Sequence, residues 1–212
     1  MFDWFKKKTA PAPTTPSTPE VLGLRLGGVV EFDDLALRLI EPHVIFEGAA
    51  RSQIIQAVGE VKLDDNSRLL RFYTDDEGFI QVLQQGGTED SHVIDVKLWY
   101  FYQTQAVDTQ ASWDDLLQNG IVRSEWSLEG ETFEKVWHNE RPVAMTEKTW
   151  NAGTLYPSET DQFIMLYQRQ VNDSLDEFVM ISAEEKLIFN DQERALVISS
   201  GINLTPTDFK VI

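Results

Sequence analysis

Along most of the chain, apolar and polar residues alternate with a period of two, the pattern of half-buried strands rather than helices. Val29 to Phe32 reads as a first short strand. Gln53 to Leu63 is rich in β-formers and ends at the turn cluster Asp64-Asp65-Asn66-Ser67. Arg68 to Thr74 follows, then Asp75-Asp76-Glu77-Gly78 turns the chain into Phe79 to Gln85, which stops at Gly86-Gly87. By its punctuation this is a three-stranded meander. In Val93 to Tyr102, residues Ile94, Val96, Leu98, Tyr100 and Tyr102 share one face. The other face starts polar with Asp95 and Lys97 and becomes aromatic at Trp99 and Phe101, so one end of this strand is covered on both sides. Ser124 to Leu128 and Thr132 to Trp137 flank Glu129-Gly130-Glu131 as a hairpin. Val143 to Trp150, Phe163 to Val171, Phe178 to Ser182 and Ala195 to Ser200 complete the predicted strands.

Helical signals are few. Ser112 is placed to cap Trp113 to Gln118, with Asp114 and Asp115 at the positive end of the dipole and Gly120 as the stop. Asp33 is placed to cap a second short helix, Leu35 to Ile40, ended by Pro42, although Leu35, Leu37 and Leu39 also alternate as a strand would. The expected class is therefore mainly β, or α+β, with antiparallel sheets and two or three short helices. Two blocks resemble each other: Asn66 to Gly86, centred on Thr74-Asp75-Asp76-Glu77, and Asp173 to Gly201, centred on Ser182-Ala183-Glu184-Glu185. A sandwich of two related β units would account for them, and so would chance likeness between two acidic hairpins.

The 212 residues are 42% hydrophobic and 11% aromatic, enough to build a core. From residue 21 onward the composition is even, which predicts one folded domain over 21–212. Residues 1–20 differ. Phe2, Trp4 and Phe5 precede Lys6, Lys7 and Lys8, and Thr9 to Pro19 holds four prolines and five Ser or Thr. Such a stretch reads as an extended linker. Rings beside lysines suit an interfacial anchor, with the rings in the headgroup zone and the ammonium groups on anionic lipid; a plain unstructured start is the other reading. No apolar segment follows the lysines, so a secretory signal is not expected, and the cytoplasm is the expected compartment, with peripheral contact at the inner membrane through the tail.

The net charge is -17, with 35 acidic against 18 basic residues. That argues against nucleic acid, which requires phosphates to be neutralised by Lys and Arg, and towards a basic protein or a membrane-associated protein as partner. With no cysteine, thiolate metal sites, Cys nucleophiles and disulfides are excluded. His43, His92 and His138 are far apart in sequence, so no metal site and no cofactor are expected. Phosphate-loop, nucleophile-elbow, zincin and EF-hand patterns are missing, and Leu22 to Gly28, though glycine-rich, lacks the phosphate-loop spacing. No catalytic residue is therefore nominated. Asp75, Asp76 and Glu77 are the strongest ligand-binding candidates, because three carboxylates share one tight turn. Trp99 and Tyr100 join them as aromatic walls.

Several stretches resemble a known family. They are Gly23-Leu24-Arg25-Leu26-Gly27-Gly28, Asp33 to Leu39, Arg71-Phe72-Tyr73-Thr74-Asp75-Asp76, Gln81-Val82-Leu83 with Gly86-Gly87, Val96-Lys97-Leu98, Leu166 to Gln170 and Ile181 to Glu185. Together they are similar to the YjfK-like family of uncharacterised bacterial proteins, over roughly Val21 to Ile212. The resemblance carries no catalytic residue to any position. Members are often encoded beside phage-shock-protein-A-like and small membrane proteins, which implies an accessory factor of an envelope-linked system. Two functions stay open: a non-enzymatic interaction protein, or an enzyme or binder of a cationic, polyamine-like ligand in an acidic and aromatic pocket.

Overall fold

The computed structural model describes residues 18–63, 65–188 and 191–212. Twelve strands are seen among them: β1 (Val29–Phe32), β2 (Ser52–Lys62), β3 (Ser67–Thr74), β4 (Gly78–Gln85), β5 (Val93–Ala106), β6 (Glu125–Leu128), β7 (Glu131–Lys135), β8 (Val143–Asn151), β9 (Ser158–Asn172), β10 (Leu175–Ile188), β11 (Asp191–Asn203) and β12 (Phe209–Val211). Two short helices, α1 (Asp34–Ile40) and α2 (Gln110–Asp115), accompany them. The protein is mainly antiparallel β, as the period-two pattern predicts.

Eight strands close on themselves. The ladder runs β2-β3-β4-β5-β11-β10-β9, and β8 pairs with both β9 and β2, completing an antiparallel barrel. The edge of β2 is shared: Ser52 to Ile54 pair with β1, and Ala57 to Val61 pair with β8, with an irregularity near Ile55 where the handover occurs. Strand β9 is shared in the same way between β8 and β7. The strands thus form a single closed barrel, and not the sandwich of two units that was one of the two readings of the similar blocks. The acidic block Ser182 to Glu185 lies inside β10 and not in a turn, because its backbone is held by Ile164 to Asp161 on one side and Val197 to Arg194 on the other. The two blocks therefore do not match as repeated hairpins.

Alternation sorts side chains to two sides of the barrel wall. Leu70, Phe72, Ile80, Val82, Val96, Leu98 and Tyr100 face outward into a core closed by β1, α1, β12 and residues 44–46. Val179, Ile181, Met165 and Tyr167 face outward into another, closed by Trp113 of α2, Ile121, and Trp126 and Phe133 of the β6–β7 hairpin. A third cluster, Phe79, Trp99, Ile164, Phe178 and Met180, fills part of the barrel interior. The outer layer is tied down by polar groups as well. Buried Glu177 accepts from the Ile45 amide at 2.5 Å, from Ser200 Oγ at 2.8 Å and from Arg169 Nε at 2.9 Å.

Local signals explain the short elements. Asp33 Oδ1 accepts from the amides of Leu35 and Ala36, the cap expected for α1. Helix α2 starts earlier than expected: Thr109, not Ser112, is its N-cap, and Thr109 Oγ1 accepts from the Ser112 amide at 3.1 Å. Glu129 and Gly130 both have positive φ, 51° and 84°, and form the two-residue turn between β6 and β7.

Candidate functional site in the barrel interior

Inward positions of β3 are Leu69, Arg71 and Tyr73, and the charged one sits at the centre of the barrel. Arg71 is 2% exposed. Its Nη1 donates to Glu147 Oε2 at 2.5 Å and to Gln162 Oε1 at 2.6 Å, and its Nε donates to Gln81 Oε1 at 3.1 Å. Glu147 on β8 also accepts, at Oε1, from Tyr73 OH at 2.8 Å and from Thr149 Oγ1 at 3.0 Å. Four strands (β3, β4, β8 and β9) therefore contribute to one polar layer across the barrel. Burial works against the charge on Arg71, but the adjoining Glu147 carboxylate outweighs it and holds the guanidinium protonated. Burial likewise raises Tyr73 well above the ordinary phenol range, so its hydroxyl stays a neutral donor to Glu147.

This layer divides the interior. On the side of the β8–β9 and β10–β11 connections lies a cavity of about 520 Å³, lined by Tyr73, Phe101, Glu147, Gln162 and Glu184, among others. The rings of Tyr73 and Phe101 are near parallel, with centroids 6.4 Å apart. Glu184 accepts from Gln162 Nε2 at 3.2 Å and forms no ion pair among the described residues. Burial raises its pKa above the ordinary carboxylate value; Arg71 opposes that rise and Glu147 adds to it. The cavity continues outward past Thr104, Thr160 and Glu184 into a wider polar cleft bordered by Asp108, Lys186 and Arg194. On the other side of the layer is a smaller, apolar cavity of about 280 Å³, bounded by Trp99, Trp137, Met145 and Met180.

Asp75, Asp76, Glu77 and Tyr100 come together, but outside the barrel, in a cleft of about 490 Å³ under Phe46 and Glu47. Two of the carboxylates there are occupied. Asp75 Oδ1 accepts from the Ile54 amide at 2.7 Å. Asp76 Oδ2 accepts from the Ala50 amide at 2.8 Å, from Gln53 Nε2 at 3.0 Å and from Tyr100 OH at 3.3 Å. Those bonds fasten the β3–β4 turn to the start of β2. Trp99 is one residue from Tyr100 and so points the other way, into the interior, where it is 1% exposed. Phe2, Trp4, Phe5, Lys6, Lys7 and Lys8 lie outside the described residues.

Arg71, Glu147, Gln162 and Glu184 were not nominated from sequence. Arg71 had a signal, being a charged residue in register with Leu69 and Tyr73 in the middle of an apolar strand. Two of its partners, Glu147 and Gln162, stand 76 and 91 positions away, and nothing local points to them.

No helix among the described residues is long and apolar enough to cross a membrane. No solved structure matches the chain. The chain is 28% identical over 182 residues to "Uncharacterized protein YjfK" of Escherichia coli (strain K12), covering 80% of this chain and 79% of that protein. Residues 1–210 match the family described as "Protein of unknown function (DUF2491)", and with nearly its whole length inside that match the chain belongs to this family.

Proposed function

We propose that the chain is a non-catalytic binding protein whose barrel mouth takes an organic cation, such as an alkylamine or a polyamine. One observation carries this reading: Glu184, half-buried in the larger cavity, accepts from the Gln162 amide, forms no ion pair among the described residues, and faces the same space as the rings of Tyr73 and Phe101. The single cation of the layer, Arg71, is already committed to Glu147 at 2.5 Å. An ammonium group entering the mouth would supply the charge Glu184 lacks, and its alkyl part would lie on aromatic faces. The role then resembles the acidic and aromatic pocket expected from sequence, built at the barrel mouth instead of the Asp75 turn. The test is titration calorimetry with spermidine and butylammonium, using butanol as the uncharged control, on the wild type and on Glu184→Gln. The reading predicts heat with both amines, none with butanol, and at least a ten-fold loss in the variant. Equal amine affinity in the variant refutes it.

A second reading is favoured by charge. The excess of 35 acidic over 18 basic residues suits contact with a basic protein or a membrane-associated partner in the cytoplasm, as expected of an accessory factor in an envelope-linked system. The basic, aromatic start of the chain would add a weak contact with anionic lipid at the inner membrane. Sedimentation with anionic vesicles, with and without residues 1–8, checks the lipid part: binding that falls with salt and with the deletion supports it, and equal binding of both forms removes it.

A further inference from the structure

The geometry points to a second, separate site: the smaller cavity of the barrel interior binds a small neutral apolar molecule carrying one hydrogen-bond acceptor oxygen, such as a ketone, ester or amide. Its walls include Leu69, Leu83, Met145 and Leu166, and it measures about 280 Å³, near the lower end for small-molecule sites. Two donors border it without an oxygen partner among the described residues. The indole Nε1 of Trp99 is buried and makes no hydrogen bond. Arg71 Nη2 meets only the sulfur of Met180, at 4.0 Å.

The chemistry of these groups selects the ligand. Indole and guanidinium nitrogens donate and cannot accept, so the missing partner is an acceptor. A buried donor left unmade is costly, and an oxygen delivered by a ligand removes that cost. The same cavity argues against an ionised ligand, because both of its cations are already neutralised. Arg71 is paired with Glu147. Lys97 Nζ is held by Asp95 at 2.8 and 2.9 Å, by Asn203 Oδ1 at 2.7 Å and by the Phe178 ring at 4.5 Å. A carboxylate would enter as an unpaired buried charge, and so would an ammonium group. An uncharged carbonyl on an alkyl chain satisfies both the donors and the apolar walls.

This inference does not rest on amine binding at the other mouth, and its test separates the two. The probes are a heptanone, heptane, heptanoate and heptylammonium, read by thermal melting and by the indole N–H resonances of the intact chain. The Trp99 resonance is assigned by its disappearance in Trp99→Phe. The heptanone should raise the melting temperature and shift the Trp99 N–H, and heptane should do so less. Heptanoate should do neither. Trp99→Phe, which keeps a ring and loses the donor, should weaken the heptanone about five-fold and leave heptane unchanged. Glu184→Gln should leave heptanone binding intact. Heptanoate binding as tightly as the ketone overturns the proposal. So does unchanged ketone affinity in Trp99→Phe, loss of ketone binding in Glu184→Gln, or no response to any probe, which would mean that the cavity holds water only.

Discussion

Glu147 occupies the space that a side chain at position 59 would need. A Cβ built on Gly59 would fall 2.1 Å from Glu147 Oε1 and 2.7 Å from its carboxyl carbon. The glycine of β2 is what lets the carboxylate of β8 lie flat against the wall and reach Arg71. Gly201 stands in the same relation to Trp99, whose ring carbons would be 2.5 and 2.6 Å from an added Cβ. Two glycines on the inner wall thus make room for one charged and one aromatic side chain.

Gly59→Ala therefore displaces Glu147 and strains its bond to Arg71. The expected loss is about 3 kcal/mol in urea unfolding, within the range for breaking a buried ion pair. Gly130→Ala is the comparison for space, since nothing lies within 4 Å of a Cβ there. Its cost comes only from the positive φ, about 1 kcal/mol.

Removing Arg71 alone leaves Glu147 charged, buried and without its cation. Arg71→Met should cost about 3–5 kcal/mol. Pairing it with Glu147→Leu should recover most of that loss, because the double variant leaves no buried charge at either position. A double-mutant cycle in urea measures the difference. Recovery of less than about 1 kcal/mol would show that the layer is held by its hydrogen bonds to Gln81, Gln162 and Tyr73 more than by the charge pair.

Glu184 links stability to pH. Its pKa is raised in the folded protein, so the folded state holds the proton over a range where the unfolded chain has lost it. Stability from this group is then present at low pH and is lost as pH rises through the folded value. Glu184→Gln should raise the melting temperature at neutral pH. The gap should close as pH falls below the ordinary carboxylate value, where wild type and variant both carry neutral groups. A variant that melts lower than wild type at neutral pH contradicts this.

Asp76 distinguishes the outer cleft from the barrel mouth. Asp76→Ala removes the acceptor used by Ala50, Gln53 and Tyr100 and should cost about 2 kcal/mol in stability. If the mouth is the amine site, spermidine affinity measured on folded protein should not change. A loss there, with Glu184→Gln unaffected, moves the site to the cleft of Asp75, Asp76 and Glu77.

Much of the ladder was legible because one face of each strand meets an apolar core. β1 and α1 follow directly from Val29-Val30-Glu31-Phe32 and the Asp33 cap. The extra length of β9, β10 and β11 was not legible. Their ends, such as Ser158 to Gln162 and Glu184 to Lys186, are polar on both faces, because the inner face there lines a wet mouth and the outer face meets solvent. β12 is three residues long and is made a strand only by pairing with β1. Ring closure was hidden for a similar reason: nothing within Val143 to Asn151 announces that it will bond to β2 as well as to β9. The site shared that obscurity, since its members are brought together only by closure.

Closure by β8 also sets a clock on synthesis. Arg71 leaves the ribosome 76 residues before Glu147. At about 5–20 residues per second, its counter-ion follows roughly 4 to 15 seconds later. Until then β2 has a bare edge from Ala57 to Val61, and the arginine destined for the centre of the barrel is still in water. The nascent chain must hold a half-built wall open for seconds, an interval in which that edge is free to pair with a neighbouring chain instead.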